Sequence, residues 1–340
     1  MTKQTALVIC PGRGTYNKDE LGYFRRHHGD QKAFIGAIDA MRDAQGQIPI
    51  SELDGRDAYE TAVHMSGENA SALIYACAYS DFLSINRERY DVAAVCGNSM
   101  GWYISLACGG AASAEHAAQI VNTMGTLMHH NAPGGQVLYP FVDENWQPIA
   151  GQREALMALT SEIDGLYLSI ELGGMIVFAG EGAALDMLMK RLEPAQSRFP
   201  LRLKYHGAFH TEMMAPIAAK GQAALGADLF TQPVLSLIDG RGHIWSPYSS
   251  DPAQLRAYTL GTQVCTPYNF TRSVQVGVKE FAPDKIIILG PGNTLGGAVA
   301  QSLIEIGWRG LCTKDDFTAQ QKDDPLILSM GIDEQRALVI

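Results

Sequence analysis

The 340-residue chain has no uninterrupted apolar run of 18 residues or more, so no membrane-crossing helix is expected. Its opening residues enter an apolar strand too short to be the core of a signal peptide followed by a cleavage site, which leaves the cytosol as the expected address. Cysteines are few, six in all, with no C-x-x-C pair; most sit inside apolar runs, as small thiols do in a reducing compartment. A basic stripe is also missing. The formal net charge of -10 argues against nucleic acid as a partner, although a few local arginines can still build a pocket for an anionic substrate. No internal repeat or low-complexity stretch is present, and neither a metal nor a permanently bound cofactor is expected. The glycine-bracketed loop Pro11-Gly-Arg-Gly-Thr-Tyr16 is no phosphate loop, because no Gly-Lys-Ser/Thr follows. It is no dinucleotide fingerprint either, since Asn17 stands where a further glycine is needed.

What the chain does have is enough apolar sequence, 46%, to bury a large core, and one stretch around which the rest is organised. Residues 91–110 read as a buried strand, a Gly97-x-Ser99-x-Gly101 corner and a helix. Glycines two residues either side of the serine let strand and helix pass without a side-chain clash, and the strained corner pushes the Ser99 hydroxyl outward. The helix that follows aims free N–H groups, beginning with Met100, at the place where charge forms on an attacked carbonyl. With 35 glycines the pentapeptide arises by chance in roughly one of every few such chains. Its weight therefore comes from the strand before it and the helix after it.

A serine is inert without a base, and histidine is the side chain whose ordinary pKa lies near neutrality. Of nine histidines, His206, His210 and His243 lie in glycine-containing loops that follow a strand in the second half. Periodicity predicts helices over 34–44, 68–83 and 114–130. Residues 136–204 then alternate strand, helix, strand, strand, helix, strand, the split β-α-β pattern of a ferredoxin-like unit. Strands and helices alternate on both sides of this insert, with buried strands near 234–238 and 285–289. The fold class is α/β: an α/β-hydrolase-like body with a mostly parallel sheet and helices on both faces, plus an inserted ferredoxin-like subdomain. The expected division is 1–132 with 204–312 for the body, 133–203 for the insert and 313–340 for a C-terminal tail, mobile or docked on a neighbour.

Four segments together resemble the malonyl-CoA:acyl carrier protein transacylase family and the related acyltransferase domains of polyketide synthases: Pro11-Gly-Arg-Gly14, Gly97-Asn-Ser-Met-Gly101, Gly207-Ala-Phe-His-Thr-Glu-Met-Met-Ala-Pro216 and Leu289-Gly-Pro-Gly-Asn-Thr-Leu-Gly296. The resemblance implies ping-pong acyl transfer. Ser99 would take the acyl group from an acyl-CoA as an ester and pass it to the phosphopantetheine thiol of an acyl carrier protein. It selects His210 as the general base, the N–H groups of Met100 and Arg13 as the oxyanion hole, and the segment at Thr266-Pro-Tyr-Asn269 as the source of a carbonyl that orients the histidine. It also places Asn98 and Met124 in the acyl pocket.

The sequence departs from the family pattern at three positions. Asn98 stands where histidine is usual, Arg13 where glutamine is usual, and Met124 where malonyl-selective members carry the arginine that grips the free carboxylate. Two readings follow: an uncharged acyl group against Met124, or a malonyl group whose carboxylate is met by Arg13. The same apparatus with water admitted would be an acyl-thioester hydrolase, and a degenerate member would serve as a non-catalytic docking module.

Overall fold

A computed structural model describes residues 2–340. Its strands, in chain order, are β1 Gln4–Cys10, β2 Tyr90–Gly97, β3 Gly135–Pro140, β4 Leu166–Leu172, β5 Met175–Gly180, β6 Leu201–Leu203, β7 Ser236–Ile238, β8 Ile244–Trp245, β9 Tyr268–Asn269, β10 Lys285–Ile288 and β11 Ile327–Ser329. The continuous apolar runs are the central ones. β1 and β10 are buried almost throughout because helices cover both faces of the sheet they form, which is what an unbroken Val/Ile/Leu pattern requires.

That larger sheet runs β11-β10-β1-β2-β7-β8. Its neighbours are parallel except for the last pair, β7 with β8. In such open sheets the loops leaving the carboxyl ends of the strands form the binding crevice. Here β1 and β2 are adjacent with Cys10 level with Gly97, so the loop of Arg13 and the corner of Ser99 emerge side by side.

The second sheet runs β6-β3-β5-β4-β9. β6, β3, β5 and β4 pair antiparallel, and helices Gln152–Glu162 and Gly182–Arg191 join them in sequence. They enclose a small core around Val137, Ile176, Phe178 and Leu185. β9 joins this sheet parallel to β4 from a distant part of the chain, Ile170 pairing with Tyr268. The Ser169 hydroxyl donates to the Phe209 carbonyl at 2.8 Å, fastening the second sheet to the segment that carries His210.

The expectation of a C-terminal tail is corrected. β11 is the edge strand of the larger sheet, pairing with β10, and the Asp333–Val339 helix carries Arg336 into the interior, where Nη1 donates to Asp81 Oδ1 at 2.6 Å. His28 Nε2 lies 2.7 Å from the same oxygen, and the Tyr23 hydroxyl donates to Asp81 Oδ2 at 2.8 Å. A three-residue strand is too short to register as a periodic pattern, and the charged runs before it read as solvated chain.

Candidate active site

The serine half of the site comes from one contiguous segment. β2 turns through Gly97-Asn-Ser-Met-Gly101 into the Gly101–Cys108 helix, and Ser99 is held at φ 56°, a left-handed conformation that non-glycine residues adopt under local constraint. The constraint is the closeness of strand and helix. A Cβ on Gly97 would lie 2.3 Å from the Gly101 carbonyl carbon, and one on Gly101 would lie 2.3 Å from the Cys10 carbonyl oxygen. The corner is tied by Gly101 N–H to the Asn98 carbonyl at 2.8 Å and by the Tyr268 hydroxyl to the Gly97 carbonyl at 2.6 Å. Among the described residues, the main-chain N–H groups of Met100 and Arg13 donate to nothing, and such free donors are what a developing oxyanion needs.

The histidine half is assembled from separate segments. His210, buried and at φ 60°, places Nε2 at 2.6 Å from Ser99 Oγ and Nδ1 at 2.7 Å from the Gln263 carbonyl oxygen. A carbonyl only accepts, so Nδ1 carries the proton and Nε2 keeps its lone pair for the serine hydroxyl. Burial pulls the imidazole down to about 4, opposed by the Gln263 carbonyl, which favours the charged ring. At neutral pH it is therefore the uncharged base. Of the rival histidines, His206 sets Nδ1 at 2.7 Å from Gln136 Oε1, and His243 packs edge-on against Trp245 at 4.9 Å.

Gln263 was not legible in the sequence. Its carbonyl accepts from His210, its side-chain Nε2 donates to the Ser99 carbonyl at 3.1 Å, and its Oε1 accepts from the Tyr103 hydroxyl at 2.9 Å. It follows a π-helical turn, Tyr258–Thr262, the kind of local unwinding that recurs at functional sites. A main-chain acceptor has no side-chain signature, so only the turn could have flagged it.

Two expected roles are corrected. Asn269 does not orient His210: its Oδ1 accepts from the Arg272 N–H at 2.7 Å, capping the Phe270–Phe281 helix, and its Nδ2 donates to Glu171 Oε1 at 2.7 Å. Met124 does not face the pocket. It is fully buried on the Ala114–Asn131 helix, with its sulfur packed where Gly221 leaves room by having no side chain. Gly125 and Met128 of the same helix border the pocket instead. Asn98 lines the neighbouring cleft with a buried Oδ1 that has no donor.

Ser99, His210 and Gln263 share a narrow pocket with apolar Met128, Phe209 and Val264. It adjoins a wider cleft, walled by the second sheet and by the loops after β1 and β2, that also reaches Ser99. Arg13, Arg198 and Lys204 line that cleft and no aspartate or glutamate does, a local positive field on a chain of net charge -10. Glu68, His129 and His130 gather possible metal-ligand atoms within 4.8 Å of one another, but have no part in the Ser99–His210 pair.

No family model matches the chain. Among curated proteins it is similar to the malonyl CoA-acyl carrier protein transacylase of Bacillus subtilis, with 23% identity over 208 residues. That alignment covers 60% of this chain and 62% of the relative, less than two thirds of its length. It is also similar to the same-named protein of Mycobacterium tuberculosis H37Rv, with 28% identity over 227 residues, 66% of this chain and 70% of the relative. Among solved structures, the malonyl-CoA:ACP transacylase of Synechocystis sp. matches with a TM-score of 0.76 at 16% identity, covering 99% of this chain and 100% of that one. A type II polyketide malonyl-transacylase in complex with its acyl-carrier protein matches with a TM-score of 0.71 at 17% identity, over 88% and 93% of the two chains. Sequence similarity to the curated relatives and an architecture shared over nearly the whole length point the same way: the chain is similar to malonyl-CoA:acyl carrier protein transacylases and has their fold.

Proposed function

We propose that this chain moves an acyl group, malonyl or a related one, from coenzyme A to the phosphopantetheine thiol of an acyl carrier protein through an ester on Ser99. The observation that carries the reading is the 2.6 Å contact between Ser99 Oγ and His210 Nε2, with the other ring nitrogen committed to the Gln263 carbonyl. His210 takes the hydroxyl proton as Ser99 Oγ attacks the thioester carbonyl. The oxyanion is met by the Met100 and Arg13 N–H groups. The intermediate collapses with cleavage of the carbon–sulfur bond, and His210 returns the proton to the departing thiolate. The carrier thiol then gives its proton to His210, attacks the seryl ester, and leaves with the acyl group as Ser99 Oγ regains the proton.

The cleft fits this traffic. Its cations suit the phosphates of coenzyme A and an acidic carrier surface, while apolar side chains of the second sheet, Leu138, Ile170 and Val177 among them, form a wall for the pantetheine arm. We assign residues 133–203 to an inserted unit that closes this wall. The working compartment is the cytosol, in keeping with six unpaired cysteines and with no helix long and apolar enough to cross a membrane among the described residues.

Transfer is separated from hydrolysis by following an isolated acyl-enzyme. The ester should persist in buffer and discharge within seconds on addition of phosphopantetheinylated carrier protein. An ester that water clears as fast as the thiol does would make the protein a thioester hydrolase.

A further inference from the structure

Arg13 lines both the narrow pocket and the wider cleft beside Ser99. Its Nη2 donates to two carbonyls, Met65 at 3.0 Å and Tyr205 at 2.9 Å, which pin the side chain in place. Its buried Nε has no acceptor, and Nη1, turned toward Gly67, donates to nothing among the described residues. No carboxylate forms an ion pair with it among those residues.

Burial draws this guanidinium down to about 10, which leaves it charged at neutral pH. The charged groups around it offer no compensation. His206 and His129, whose own pKa values its charge helps to depress, are neutral at pH 7, and the ring of Phe209 lies 5.7 Å from the guanidinium carbon. A desolvated cation satisfied only in part by dipoles is costly, and the cost is relieved when an anion of matching fork geometry arrives. Nothing else lining the narrow pocket is charged at neutral pH.

We propose that Arg13 is the specificity-determining residue for the acyl group: its free N–H groups pair with a carboxylate at the far end of the acyl chain, so the substrate is a short carboxyacyl thioester even though position 124 holds methionine. The inference rests on the acyl transfer proposed above. Arg13 then acts twice, through its main-chain N–H on the thioester oxygen and through its side chain on the terminal carboxylate. Substrate charge is read from the loop after β1 and not from the Ala114–Asn131 helix that carries Met124.

The test is the rate at which Ser99 is acylated by malonyl-CoA, acetyl-CoA and butyryl-CoA, followed by intact mass, in the wild type and in Arg13→Met and Arg13→Lys. The wild type should favour malonyl-CoA at least about tenfold over both uncharged donors. Arg13→Met should lower that preference by roughly 10- to 100-fold, the worth of a charge-assisted pair, and Arg13→Lys, which keeps the charge but not the fork, should fall between. If Arg13→Met fails to fold, the wild-type preference and the lysine variant still decide. Equal or faster labelling by the uncharged donors, or a malonyl preference that survives both substitutions, overturns the proposal. If none of the three donors labels the wild type, acyl transfer itself fails and this inference falls with it, a result distinct from labelling without preference.

Discussion

The two halves of the site are built by different means. The serine half is a single stretch of chain whose strain, glycines and free Met100 N–H all follow from one tight corner between β2 and its helix, the Arg13 N–H being added by the neighbouring loop after β1. The histidine half gathers His210 from one segment and Gln263 and Tyr268 from another, and its decisive contact is to a main-chain carbonyl. A contiguous half can be altered only by breaking the corner. A gathered half can be tuned one contact at a time.

The largest effect expected from this contrast is at the pair itself. Ser99→Ala should remove acyl-enzyme formation altogether and lower transfer by roughly 10⁴-fold or more. His210→Ala should cost about 10² to 10⁴, since a corner-held hydroxyl and free oxyanion donors remain without the base. Steady-state transfer with both variants would break the comparison if the histidine variant kept wild-type rates.

The pH profile sharpens it. With the imidazole pulled below its ordinary range to about 4 by burial, kcat/KM should hold from neutrality down to about pH 5 and fall only below that, as His210 gains its proton. An acid limb centred near 6.5 would mean an exposed, ordinary histidine. The same depression has a stability consequence. The folded protein binds the proton less readily than the unfolded chain, so the contribution of a neutral His210 is complete above about 6.5 and is lost as pH falls toward 4.

Smaller effects separate the true support from the expected one. Gln263→Ala keeps the main-chain acceptor for His210 but removes the amide tie to the Ser99 carbonyl and the partner of the Tyr103 hydroxyl. A fall in kcat of about tenfold is expected, the worth of about one hydrogen bond. Asn269→Ala should leave the pH profile alone and lower stability by about 1 kcal/mol through loss of a helix cap, measured by denaturant unfolding.

What could be read from the sequence follows the same division. The parallel core announced itself through unbroken runs such as Lys285–Ile288, and the corner through glycines at fixed spacing around Ser99. The partner histidine needed the order of four distant motifs. Gln263 escaped because a carbonyl acceptor leaves no mark on residue type. Met124 misled because the resemblance fixes only its position along the helix, not that Gly221 on the facing helix opens a space for its sulfur. Ile327–Ser329 escaped because three residues are too few to show a period, and Arg336 because its buried partner, Asp81, lies at the other end of the chain.

The most direct measurement is peptide mapping by mass spectrometry after brief incubation with malonyl-CoA. The account predicts one added malonyl group on the peptide that contains Ser99, absent from Ser99→Ala and much reduced in His210→Ala. Label on another residue, or label undiminished when Ser99 is replaced, would contradict it.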